Sequence, residues 1–111
     1  MTVVSKPLVT SKYAENSQTT QYTAAAATRT ILDKFTAYNG TSSSVAITIN
    51  IVANGGSASA SNVIAYKSIT PSETYTFPEI VGHVLEPGGF VSTLAGSASA
   101  LVIRASGREV T

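Results

Sequence analysis

The sequence predicts an all-β fold: a small antiparallel β-sandwich of the jelly-roll kind formed by residues 23–111, with an extended N-terminal arm of residues 1–22. Three observations support this prediction. About seven or eight strand-like segments are separated by turn signals about every 8–12 residues, a spacing typical of sandwiches. Residues 45–52 alternate between aliphatic and small or polar side chains. The length of 111 residues is that of one domain with a modest core.

The N-terminal residues 1–22 show no sustained hydrophobic period. Pro7 opposes a helix and favours an extended Lys6. One interpretation is a frayed terminus, the common state of chain ends. The other is an arm that becomes ordered on a partner, because the segment is more apolar than a solvated tail requires. On the second interpretation, the candidate partner-binding residues are Val3, Val4, Leu8, Val9, Tyr13 and Tyr22.

Residues 24–39 carry two opposing signals. The four alanines at 24–27 favour a helix, because alanine is the best helix former. The β-branched and aromatic residues that follow favour a strand. We predict a strand that ends at the turn Asn39-Gly40.

The clearest strand is predicted at residues 45–52. Its alternation places one set of side chains in the core, with the opposite face in water or at an interface. The core-facing set is Val45, Ile47, Ile49 and Ile51. The Gly-, Ser- and Ala-rich residues 54–61 are predicted to form a flexible loop.

Two further strands are predicted after this loop, at residues 62–69 and 73–77. Pro78 limits the second, because proline cannot donate to a central ladder. Three tyrosines of the sandwich are expected at the edges of the core. They are Tyr38, Tyr66 and Tyr75.

The C-terminal third contains the turn Pro87-Gly88-Gly89, an apolar segment at 90–94, small residues at 95–100 and a final apolar segment at 101–109. Glycine and proline mark the turn. We predict a β-hairpin of the two segments, which closes the domain.

No catalytic, metal or cofactor site is predicted. The chain has no cysteine, which excludes disulfides and thiolate sites. The single histidine, His83, is expected to be a half-exposed strand residue. The acidic residues lie on separate segments, without the spacing of a metal site or of paired catalytic carboxylates. No serine lies in a Gly-x-Ser-x-Gly elbow, and there is no phosphate-binding glycine loop. The sequence therefore predicts a protein that is not an enzyme and has no small-molecule substrate.

The charge pattern also limits the partners. Charged residues make up 12% of the chain, and its net charge is +1. The basic residues are scattered and no aromatic residue is interleaved with a basic stripe, so no nucleic acid is expected as a partner. No apolar run is long enough for a membrane helix or a signal peptide, so no membrane is expected either. A neutral, hydroxyl-rich surface instead indicates a protein that packs against other protein.

Several segments resemble small β-sandwich virion proteins of tailed phages. The first is Leu85-Glu86-Pro87-Gly88-Gly89-Phe90-Val91-Ser92-Thr93, followed after a run of small residues by Leu101-Val102-Ile103-Arg104-Ala105-Ser106-Gly107-Arg108-Glu109. Residues 30–39 and 45–52 resemble the paired strands of the same domains. The resemblance covers residues 28–109. The chain is most similar to the capsid decoration, or staple, proteins of epsilon15-like short-tailed phages.

The resemblance implies a non-enzymatic decoration protein, made in the host cytoplasm, that binds the outer capsid surface and clamps neighbouring major capsid subunits. It implies the major capsid protein as partner and a homodimer or other symmetric unit. It implies no active-site residue. Two alternatives remain: a glycan-binding jelly-roll adsorption module, with a tyrosine-lined face and the loop 54–61, and a head–tail or tail completion protein that forms a ring.

Overall fold

The computed structural model describes residues 1–111 and confirms the predicted all-β sandwich. Its strands are β1 Val3–Tyr13, β2 Thr19–Thr23, β3 Arg29–Asn39, β4 Val45–Val52, β5 Val63–Ile69, β6 Thr74–Thr76, β7 Val84–Leu85, β8 Phe90–Ala95 and β9 Leu101–Val110. The one helical element is a 3-10 turn, Ala60–Asn62. No helix has the length and apolar character that crossing a membrane requires.

The strands form two antiparallel sheets. The first has the order β1-β9-β3-β6, with the short β7 also paired to β3, and the second has the order β2-β8-β4-β5. Without β7, eight strands are divided equally between two sheets, and most connections cross from one sheet to the other. This is the arrangement of a jelly roll. Side chains from the inner faces of both sheets meet in one apolar core.

The predicted C-terminal hairpin is wrong. β8 lies in the second sheet and β9 in the first, so residues 96–100 connect the sheets instead of turning within one. Gly96 donates its N–H to the carbonyl of Ala46, and Ser99 has a positive φ of 53°. A small-residue turn between two apolar segments is compatible with both connections. The pairing of β9 determines which connection forms, because β9 has hydrogen-bonded neighbours on both sides, β1 and β3, in the first sheet.

The strand predicted to end at Asn39 and Gly40 does end there, and the turn leads to the opposite sheet. β3 and β4 also lie in different sheets. The Asn39 side chain is fully buried, and its Nδ2 donates to the carbonyls of Ser43 and Ile69, both at 2.8 Å. Its Oδ1 accepts from the N–H of Thr41 at 2.9 Å. This asparagine therefore ties the end of β3 to the end of β5 in the opposite sheet.

The four alanines form no helix. Ala24 is buried and exchanges main-chain hydrogen bonds with the turn around Gly88 and Gly89. Ala27 has a φ of 59°, which ends the turn and leads into β3. The strand predicted after the alanines is confirmed from Arg29 onward. Tertiary hydrogen bonds outweigh the helix preference of a segment this short.

The structure confirms the bounds of the strand at residues 45–52 and most of its predicted core face. Val45, Ile47 and Ile49 are buried, whereas Ile51 is partly exposed. A register shift follows Ile49 in the pairing with β5. Beyond it, Asn50 on the opposite face is buried as well.

The loop predicted to be flexible folds back onto the second sheet and covers Asn50. The Asn50 Nδ2 donates to the carbonyl of Ser59 at 2.9 Å and to Oδ1 of Asn62 at 2.7 Å. Asn62 in turn donates from Nδ2 to the carbonyl of Ser57 at 2.9 Å. These side-chain bonds hold residues 57–62 against β4, a role that their composition alone does not show.

The N-terminal segment is extended, as predicted, and it belongs to the sandwich. Residues 3–13 form β1 at the edge of the first sheet, paired with β9, and residues 19–23 form β2, paired with β8. Thr2 and Thr111 exchange two main-chain hydrogen bonds of 2.9 Å. The expected boundary after residue 22 falls inside β2. The open edges of β8 and β9 provide the hydrogen-bond partners that make this segment part of the sheets.

Neighbouring strands of the first sheet pack closely around Gly107 of β9. Both neighbouring strands bulge beside it: Leu8 is the extra residue in β1 and Asp33 the extra residue in β3. A Cβ atom at position 107 would lie 2.2 Å from the carbonyl oxygen of Ile31 and 2.8 Å from Cδ1 of Leu8. Only glycine fits between the two bulged strands.

We expect Gly107→Ala to lower the free energy of unfolding by about 2 kcal/mol or more, because the added methyl group meets rigid main chain. Urea denaturation followed by circular dichroism measures this loss. Gly96→Ala is the matched control, since its Cβ would lie at least 3.6 Å from any neighbour. It is expected to change stability by less than about 0.5 kcal/mol. Equal stabilities of the two variants would contradict the packing constraint.

Candidate partner-binding surface

Three of the six residues predicted to bind a partner lie on the surface. Val3 and Val4 are 51% and 49% exposed at the start of β1, and Tyr13 is 55% exposed at its end. The strand is eleven residues long, so the two valines and the tyrosine do not form one patch. For these three residues, partner binding remains a prediction.

The other three serve the fold. Val9 is only 4% exposed and belongs to the core. Leu8 and Tyr22 are partly buried and pack against the same core. Val9 therefore has no surface to offer a partner, and the packing of Leu8 and Tyr22 explains much of the apolar character that suggested a binding arm.

The Tyr22 hydroxyl joins the two sheets. It donates to Oε2 of Glu109 at 2.6 Å and lies 2.8 Å from Oγ1 of Thr30. Nζ of Lys6 lies 3.4 Å from the other oxygen of Glu109. The hydrogen bond from Tyr22, followed by the charge of Lys6, lowers the pKa of Glu109 despite partial burial. Burial and the carboxylate raise the pKa of Tyr22. Glu109 is therefore ionised and holds β1, β2 and β9 together.

A second polar cluster fills the gap between β1 and β2. Lys12 Nζ is 2.9 Å from both Glu15 Oε2 and Gln21 Oε1. The Gln21 Nε2 donates to Glu15 Oε1 at 3.0 Å and to Oγ1 of buried Thr93 at 2.9 Å. Hydrogen bonds from Gln21 and then Lys12 lower the pKa of Glu15. The hydrogen bond from Lys12 to Gln21 links the two sheets, and the two charged groups of the cluster, Lys12 and Glu15, form an ion pair.

His83 is exposed and lies just before β7 rather than within a strand. No three His, Asp or Glu side chains lie close enough together to hold a metal ion.

The outer face of the second sheet provides the most coherent candidate. Its central row consists of Leu94, Thr48 and Tyr66, which lie opposite one another on β8, β4 and β5. Leu94 is 37% exposed and Tyr66 is 70% exposed. With Ala46 of the neighbouring row, these residues line a shallow concavity of about 260 Å³. We call the surface formed by Ala46, Thr48, Tyr66, Ser68 and Leu94 the neutral face.

The neutral face contains no charged side chain. Protein interfaces are depleted of charge at their centres and enriched in aromatic residues, so a sheet face with an exposed tyrosine and no charge is suited to a protein partner. The expectation that Tyr66 lies at a core edge is wrong, because Ala65 and Ile69 fill the core from the same strand. The sequence contained a signal for this position, because polar Ser68 lies two residues along the strand and therefore on the same face as Tyr66.

Of the other two tyrosines expected at core edges, Tyr75 meets the expectation and Tyr38 lies further out. The Tyr75 ring packs edge-on against Phe77 at 4.8 Å between centroids, and Phe77 packs in the same way against Phe35 at 5.5 Å. Tyr38 is 41% exposed on the outer face of the first sheet. The face that each tyrosine occupies depends on the register of its strand.

Comparison with known proteins gives a distant structural likeness and no sequence match. No protein family matches the chain, and no curated protein matches it either. Among solved structures, a chain of the infectious bursal disease virus Gx strain is similar over 97% of this chain, with 11% sequence identity and a TM-score of 0.43. The match spans 31% of that chain, about a third of its length. The order of the strands, and not this likeness, establishes the jelly roll.

We expect the stabilising contribution of Glu109 to disappear in acid. Because the pKa of Glu109 is lower in the folded state, its ionised form stabilises the fold at pH values above the ordinary carboxyl pKa of 4.5. This stabilisation is lost as the pH falls through the lowered pKa. The stability advantage of the wild type over Glu109→Gln should therefore be largest at neutral pH and shrink below pH 4.5. Urea denaturation at a series of pH values measures it.

Tyr22→Phe is the companion variant, because it removes the largest cause of the shift and keeps the ring. It should reduce the same acid-dependent difference. An advantage over Glu109→Gln that stays constant throughout the acid range would contradict the assignment.

Proposed function

We propose that this protein is a non-enzymatic decoration protein of a phage head, which binds the outside of the assembled shell, as a homodimer, and clamps neighbouring major capsid subunits. The resemblance of residues 28–109 to such proteins supports this proposal. So does the jelly roll, a fold found in viral capsid and lectin domains. Because a fold alone does not define a function, the proposal rests mainly on the surface.

The neutral face is the observation that carries the proposal. A partner that covers it removes Tyr66 and Leu94 from water without desolvating any charge. Thr48 and Ser68 provide hydroxyls that hydrogen-bond to a partner at the same surface. The neutral face thus shares two features with protein contact sites, the lack of charge at the centre and an aromatic residue.

The clamp would act by mass action. A protein that binds the assembled shell and not the separate subunits stabilises the shell by its binding free energy, about 2.7 kcal/mol when its free concentration is about 100 times Kd. A shell that carries many copies adds these contributions. Modest affinity per copy is therefore enough for a large effect on the particle.

The edge strand β5 is better suited to strand addition than the edge strand β1. β1 carries Pro7, two register shifts and two lysines, features that discourage pairing with another chain. β5 is one of the two edge strands of the second sheet, and it carries Tyr66 of the neutral face. An extended segment of the capsid subunit would pair there and bring its side chains over the neutral face.

The copy number per particle tests the proposed role most directly. A decoration protein should be present in hundreds of copies, in a fixed ratio to the major capsid protein, whereas a ring-forming completion protein should be present in about six or twelve. Quantitative mass spectrometry of purified virions measures the ratio. A count of about six or twelve would contradict decoration and support the ring.

We expect Tyr66→Lys to weaken binding to empty heads by at least about tenfold, because it places a charge at the centre of the contact surface. Co-sedimentation with heads measures the affinity. Val81→Lys is the control, since Val81 is 51% exposed in the turn between β6 and β7, away from the neutral face. Unchanged binding by Tyr66→Lys would exclude the neutral face as the contact, and binding of neutral glycans by the isolated protein would favour the adsorption module.

A further inference from the structure

Five of the seven basic side chains already have a partner. Four form ion pairs with carboxylates and one lies over a tyrosine ring, 4.9 Å from its centroid. The pairs are Lys6 with Glu109, Lys12 with Glu15, Arg29 with Glu86, Arg108 with Asp33, and Lys67 with Tyr75. Lys34 and Arg104 are the two that remain.

The two unpaired cations lie beside each other on the outer face of the first sheet. Lys34 is opposite Ser106 and Thr36 is opposite Arg104 in the pairing of β3 with β9. These four side chains alone line a concavity of about 180 Å³. We call them the cationic patch. Every polar group in its lining side chains is a hydrogen-bond donor, and none is a carboxylate.

The nearest acidic residue along the chain, Asp33, is already engaged. Nε and Nη2 of Arg108 donate to its two oxygens at 2.9 to 3.2 Å. This bidentate pair leaves Asp33 little capacity to neutralise Lys34. The positive charge of the cationic patch is therefore not balanced within the protein.

An aromatic row borders the patch. Tyr13, Val102 and Tyr38 lie opposite one another on β1, β9 and β3, two residues along from Arg104. Tyr13 is 55% exposed and Tyr38 is 41% exposed. Arginine and tyrosine together are the residues most enriched where protein interfaces gain their binding energy.

We propose that the cationic patch binds the carboxylates of an acidic protein segment, with Arg104 and Lys34 as ion-pair partners and the Ser106 hydroxyl as an additional donor, since the Thr36 hydroxyl already donates to the carbonyl of Arg104. Arginine fits a carboxylate with two parallel hydrogen bonds. The inference rests on the proposed function, because a clamp needs two contact surfaces and its partner is protein. The outer faces of a sandwich point away from each other, so the neutral face and the cationic patch would contact different subunits.

Two-dimensional NMR of the purified full chain at low ionic strength tests this proposal, with hexaglutamate as the probe. We expect hexaglutamate to shift the amide signals of residues 34–36 and 104–106. The double variant Lys34→Gln, Arg104→Gln should weaken its binding by about threefold to tenfold. The double variant Lys6→Gln, Arg29→Gln removes the same total charge elsewhere and should change the affinity by less than about twofold.

Three results would overturn the proposal. They are shifts that do not include the patch, equal weakening by both double variants, and tighter binding of a sulfated hexasaccharide than of hexaglutamate at the same residues. The last result would assign the patch to an anionic glycan instead. The measurement uses no phage heads, so its failure leaves the binding of the neutral face to heads as a separate result. Conversely, Tyr66→Lys leaves the cationic patch unchanged.

Discussion

The position of β9 between β1 and β3 is the constraint on which the rest of the structure depends. β9 is the only strand of the first sheet with long partners on both sides, and Gly107 lets both partners bulge against it. The next two residues connect β9 to other strands. Arg108 donates to the bulge residue Asp33 of β3, and Glu109 accepts from Tyr22 of the opposite sheet. A short stretch of sequence thus sets the geometry of the sheet and also its attachment to the second sheet.

Polar side chains, and not only apolar packing, hold the two sheets together. Asn39, Gln21 and Tyr22 each take part in a hydrogen bond that runs from one sheet to the other: Asn39 donates to Ile69, Gln21 accepts from Lys12, and Tyr22 donates to Glu109. A core of this size supplies limited stability, and the chain has no disulfide to add to it. Satisfied, partly buried hydrogen bonds define the relative position of the sheets, because leaving any of them unmade costs desolvation energy.

The sandwich separates two kinds of surface. The four-stranded sheet presents an uncharged face around Tyr66, and the five-stranded sheet presents charged side chains, two of which are unpaired. On the proposed function, the two faces would contact different subunits, and both faces lie on strands that pack against the core.

The sequence by itself determined the β class, the strand at 45–52, its core-facing residues Val45, Ile47 and Ile49, and the turn before β8. These features are local, since alternation and turn chemistry act over a few residues. Only the tertiary structure decided which strands pair. The predicted C-terminal hairpin proved to be a crossing between sheets, and the segment predicted as an arm forms β1 and β2. The tertiary structure also decided that Val9 is core, that Tyr66 is surface, and that Lys34 and Arg104 line the same concavity. Such outcomes depend on hydrogen-bond partners distant in the chain, which no local pattern specifies.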